Sequence, residues 1–180
     1  MHSKLPPVSA SETLKARLHA VFDSQIPNYG DYNLVAGSNS IAARGPAGGN
    51  QRPRRRRTFV VGYRWHPAEV VIAPFNEQTL TAGSVPVTIN MTNLAYAVQL
   101  PGGGYEVAAS TGKAFRFEVA DVMTLEAPEL PATDRSAAGD GAERSGVEQQ
   151  IEQTDDARDF REFMADFVQR GLPFLPADPA

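Results

Sequence analysis

From Phe59 to Leu125 the large apolar residues recur on alternate positions or in one short unbroken run, and the spacing never changes to that of a helix. Parallel strands need a crossover of a dozen or more residues, usually helical, between them. With no helical segment in this stretch, the strands have to run antiparallel and be joined by turns.

Phe59, Val61, Tyr63 and Trp65 alternate with Val60, Gly62, Arg64 and His66, which predicts a strand buried on one face. His66-Pro67-Ala68 supplies a turn. Glu69 to Phe75 is apolar on both faces, as a central strand is, with Pro74 at its end. Val85, Val87, Ile89 and Met91 then alternate with Pro86, Thr88, Asn90 and Thr92. Tyr96, Val98 and Leu100 lead into Pro101-Gly102-Gly103-Gly104, after which Tyr105, Val107 and Ala109 resume the alternation, the pattern of a hairpin with a Gly-rich turn. Beyond a second turn at Ser110 to Lys113 come Phe115, Phe117 and Val119, and a slip at Ala120-Asp121, as a bulge produces, precedes Val122 to Leu125. With a short strand in Tyr29 to Val35 the count is six or seven.

Helical periodicity lies outside this stretch, at both ends. Ser9 and Glu12 form a capping-box signal, followed by Leu14, Leu18, Val21 and Phe22 on one stripe. Near the other end Phe160, Phe163, Met164, Phe167 and Val168 follow helical spacing, with Asp155 and Asp156 at the amino end and Arg170-Gly171 at the carboxyl end. The class is therefore α+β: an antiparallel meander of six or seven strands forming a bent sheet or small open barrel, flanked by two amphipathic helices, the last of which closes the sheet. By element order over residues 31–170 this arrangement resembles the pleckstrin-homology-like superfold, from which the first helix and a long linker depart.

At 180 residues the chain suits one domain, residues 1–180. Within it, residues 36–57 are rich in Gly and Arg and poor in large apolar side chains, which predicts a flexible loop. Residues 127–150 read as an acidic linker and residues 173–180 as a Pro-rich tail.

Charge is sharply segregated. Between Tyr32 and Ala68 there is no Asp or Glu, yet Arg44, Arg52, Arg54, Arg55, Arg56, Arg57 and Arg64 all fall there; between Glu118 and Asp166 fourteen acids face four arginines. A net charge of -4 and a pI near 5.4 exclude a globally basic nucleic-acid binder, so any attraction to polyanions is local. The candidate residues are Arg52, Arg54, Arg55, Arg56, Arg57 and Arg64, which could grip phosphates bidentately with Tyr63 and Trp65 stacking nearby. Against that stand a solvated loop, an intramolecular pairing with the acidic segment, and a gatekeeper role beside Phe59 to Val61.

Catalytic equipment is sparse. Cys is absent, which removes thiol chemistry, disulfides and Cys-based zinc sites. His2, His19 and His66 have no second ligand at metal-binding spacing, and His66 reads as a turn residue. Gly112-Lys113 fails as a phosphate loop because Val107 and Ala114 stand where Gly and Ser or Thr belong. Glu106 and Glu118 fit a solvated sheet face with cross-strand pairs, Arg116 among them. Asn90-Met91-Thr92 matches a glycosylation acceptor but lies in a strand pattern. No catalytic residue, cofactor or metal ligand is assigned. The expected function is a non-catalytic binding or adaptor protein for a protein partner or a second copy of itself, in the cytoplasm, with no transmembrane segment. Binding of nucleic acid or acidic lipid through Arg52 to Arg57, and a small carboxylate enzyme, are the alternatives.

Overall fold

A computed structural model of the chain describes residues 9–27, 30–39, 56–128 and 146–172. Helix α1, Ala10–Asp23, begins where the Ser9 side chain accepts the Glu12 N–H, and it buries the predicted stripe of Leu14, Leu18, Val21 and Phe22. Helix α2, Thr154–Arg170, buries Phe160, Phe163, Met164 and Phe167. Between them lie ten strands: β1 Asn33–Ser38, β2 Thr58–Arg64, β3 Glu69–Asn76, β4 Thr81–Ala82, β5 Val87–Asn90, β6 Leu94–Gln99, β7 Tyr105–Ala109, β8 Ala114–Phe117, β9 Val122–Ala127 and β10 Val147–Glu152. All pairings are antiparallel, and the sheets are open rather than closed into a barrel.

The central sheet runs β1-β2-β3, with β4 and β5 both pairing to β3, and a second sheet runs β6-β7-β8. A bridge between Ser38 and Glu118, with backbone bonds of 3.0 and 2.8 Å, ties the ends of β1 and β8 together. The β6-β7 hairpin turns at Gly102, Gly103 and Gly104, whose φ values of 90°, 94° and 80° explain why three glycines occupy it. The remaining pair, β9 and β10, forms a separate ribbon.

The sequence pattern predicts β2 buried on one face, and the structure buries both. Val35, Phe59, Val61, Tyr63, Val70 and Ile72 face α2 and the β6-β8 sheet, while Ala36, Val60, Val71, Ala73 and Phe75 face α1 and the β9-β10 ribbon. The reason is visible at Gly62: a Cβ there would stand 2.5 Å from the Phe22 ring, so the missing side chain lets α1 press onto the strand. On the other face Tyr63 packs between Phe160 and Phe163, with ring centroids at 5.3 and 5.0 Å, and Trp65 meets Phe163 edge-on at 5.3 Å. Tyr63 is therefore core and unavailable for stacking, whereas Trp65 rests on Phe163 with part of its ring exposed.

Two segment boundaries are corrected. Strand β10 occupies Val147–Glu152, so the end of the predicted linker is a strand paired along all six residues of β9. Strand β1 continues to Ser38, so the first residues of the predicted Arg/Gly-rich loop are sheet. The rest of that loop from residue 40 to 55, the linker from 129 to 145 and the tail at 173–180 lie outside the described residues.

Strand β10 leads directly into α2 through Gln153, which is 3% exposed. Its side-chain amide donates to the carbonyls of Ala36 at 2.8 Å and Ala120 at 2.9 Å and accepts the Ala36 N–H at 2.8 Å. One side chain thus fastens the start of α2 to β1 and to the segment before β9, satisfying buried backbone groups that would otherwise be orphaned.

Candidate functional site

Strand β2 has arginines at both ends, and the two ends differ. At its start, Arg56 and Arg57 are exposed on the rim of an open cleft of about 960 Å³. The pairing Thr58↔Phe75 places the start of β2 beside the end of β3, so the turn after β3, with Asn76, Glu77 and Gln78, becomes the facing wall. Asn39 holds the Arg57 segment in place: its N–H donates to the Arg57 carbonyl at 3.0 Å, and its side-chain oxygen accepts the Arg57 N–H at 2.7 Å. Of the three phenylalanines on the lining only Phe115 keeps appreciable apolar surface, Phe59 and Phe75 being buried in the core, and Ser84 and Glu126 complete the polar lining.

Within the described residues, neither Arg56 nor Arg57 makes an ion pair. Glu77, on the facing wall, has its Oε2 shut away from solvent with no hydrogen-bond donor among them. The cleft thus presents charges of both signs that are not neutralising each other, together with side-chain amides able to hydrogen-bond. Arg52, Arg54 and Arg55 lie outside the described residues.

At the other end, Arg64 does not belong to this group. The β2-β3 register pairs Arg64 with Glu69 across the Trp65–Ala68 turn, and the guanidinium Nη2 lies 2.9 Å from Glu69 Oε1. Glu69 is 5% exposed and is the hub of a network: the Tyr32 hydroxyl donates to its Oε1 and the Asn90 side chain to its Oε2 at 3.1 Å. The Arg64 guanidinium also lies over the Tyr32 ring, 4.9 Å from its centroid. Burial first, and then the bond to Glu69, push the Tyr32 hydroxyl up to about 12. A carboxylate buried like this is stable only because every neighbour serves it, so the network is structural. Arg64 is thus paired with Glu69 at the end of β2 away from Arg56 and Arg57.

The cross-strand pairing expected on the second sheet is present. Glu106 faces Arg116 in register and bonds to it, and it accepts the Tyr96 hydroxyl at 2.5 Å. The hydroxyl and then the guanidinium hold the Glu106 carboxyl below the usual range. This triad lies on an exposed sheet face. His66 sits in the turn after β2, and it does not line the cleft.

Sequence reasoning did not find Glu69, Tyr32, Asn90, Glu77 or Gln153. For Glu69 a signal existed: an acid and an arginine flank the His-Pro turn at mirrored positions. For Glu77 none did, since its relation to Arg56 and Arg57 exists only through the β2-β3 register. Among the described residues no three His, Asp or Glu side chains gather as a metal site would require, and no helix is long and apolar enough to cross a membrane. No protein-family model matches the chain, and no curated protein matches it in sequence.

Proposed function

We propose that this is a non-catalytic binding or adaptor protein and that the cleft at the start of β2 receives part of a protein partner. The observation that supports this reading is the pair of exposed guanidiniums, Arg56 and Arg57, without ion partners among the described residues, on a cleft that also offers side-chain amides and the half-buried Phe115 ring. Arginine and aromatic groups together are what protein interfaces concentrate at their binding centres. A volume of about 960 Å³ is at the upper end of the range for ligand sites, enough for a short peptide segment. A second copy of the chain is one form the partner could take, and a cytoplasmic location, checked by cell fractionation, goes with this reading.

The polyanion alternative draws on the same arginines, continued in sequence by Arg52, Arg54 and Arg55. The acids Glu77 and Glu126 on the same lining oppose it, because a phosphate chain would bring like charge against them. Two carboxylates in a cleft, Glu77 and Glu126, are also an ingredient of acid-base catalysis, which is the third reading. Cross-linked partners captured with the parent protein and with an R56D/R57D variant decide the matter. The reading expects a partner whose cross-links map to the cleft and vanish in the variant, and an identical set of partners in both samples refutes it. Salt-sensitive retention on heparin or DNA that the variant loses, with no protein captured, transfers the function to the polyanion reading.

A further inference from the structure

We infer that the cleft is built for a segment of mixed charge, in which an acidic side chain meets Arg56 and Arg57 while a neighbouring lysine or arginine meets Glu77; this rests on the protein-binding reading above. The argument is electrostatic. Glu77 lines the facing wall, half-buried, and makes no ion pair with any described residue, so a cationic side chain of the ligand gives its carboxylate a counter-charge. On the rim, Arg56 and Arg57 carry exposed positive charge with no described counter-ion.

A wholly acidic ligand would satisfy the arginines but set negative charge against Glu77 and Glu126. One that is wholly basic would satisfy Glu77 and be repelled by the rim. Only a ligand carrying both kinds of group answers both walls, and such like-charge penalties are how an interface rejects wrong partners. The half-buried Phe115 adds apolar surface for an aliphatic stem of the ligand.

The test is selection of random dodecapeptides displayed on phage against the full-length protein, with counter-selection on Glu77→Gln and on the double variant Arg56→Gln, Arg57→Gln. Retained peptides should place Asp or Glu within a few residues of Lys or Arg. The double variant should lose the demand for the acid, Glu77→Gln the demand for the base, and each loss should weaken binding by roughly tenfold. A measurement without substitutions guards against a misfolded variant: retained peptides should protect Arg56 and Arg57 of the parent protein from phenylglyoxal. Peptides that are only acidic, and indifferent to Glu77→Gln, overturn the mixed-charge inference and leave protein binding at the cleft intact. If no retained peptide protects Arg56 and Arg57, both readings fall.

Discussion

The two ends of β2 carry the same kind of side chain and use it in opposite ways. Arg64 is locked to Glu69, lies against Tyr32 and is part of the fold, whereas Arg56 and Arg57, a strand's length away, stand on an open cleft with no described counter-ion. What separates them is register. Arg64 lies opposite a carboxylate, while the ladder begins at Thr58 opposite Phe75 and leaves the two other arginines just outside it. An arginine's role in a sheet protein is therefore set by its cross-strand neighbour more than by the arginines around it in sequence.

The comparison can be broken most forcefully at the closed end. Removing Glu69 with Ala leaves the Arg64 guanidinium and the Tyr32 and Asn90 donors without their common acceptor, and it should cost about 3 to 5 kcal/mol in urea unfolding, in the range for breaking a buried pair from one side. A loss no larger than that of a surface exchange would show that the network is decorative.

Midway along the same strand, Gly62→Ala drives a Cβ into the Phe22 ring and should cost about 1 to 3 kcal/mol by overpacking. Combining it with Phe22→Leu should return part of that stability, as coupled neighbours do. Strict additivity of the two losses would contradict the close approach of α1.

Alkali should weaken the closed end. The Tyr32 hydroxyl is raised from 10.0 to about 12, so its contribution to stability is complete below pH 10 and is lost as pH rises through 12, because the unfolded chain releases that proton first. Tyr63, also raised to about 12, chiefly by burial and then by the charge of Asp159, acts in the same window and with the same sign. Alkaline unfolding followed by circular dichroism should thus be milder in Tyr32→Phe than in the parent without vanishing. An identical profile would mean that Tyr32 does not couple to the fold.

The smallest effect on stability is expected at the open end. Ala at both Arg56 and Arg57 should move the unfolding free energy by less than about 0.5 kcal/mol, as exposed side chains with no described ion partner do, while abolishing capture of the partner. A large destabilisation would assign these arginines to the fold as well.

Much of the architecture was legible in the chain because it rests on local patterns. The stripes of α1 and α2 and the Gly-rich turn between β6 and β7 each announce themselves within a dozen residues. Strand β10 did not, because Val-Glu-Gln-Gln-Ile-Glu has only two apolar side chains and depends on β9 for its bonds and on α1 for the cover over Ile151. The second buried face of β2 was likewise invisible until α1 was placed on it. At the candidate site, the arginines were legible as charge, but their environment was not. Glu77 lies twenty residues beyond Arg57 and faces it only through the β2-β3 hairpin, and the same hairpin takes Arg64 out of the group.

The most direct test of this division is the rate at which phenylglyoxal modifies each arginine of the native full-length protein, read residue by residue by mass spectrometry. Arg56 and Arg57 should react at the rate of free guanidinium, and Arg64, tied to Glu69 and lying over Tyr32, should lag far behind until the protein is unfolded. Equal reactivity at all three positions would contradict the account.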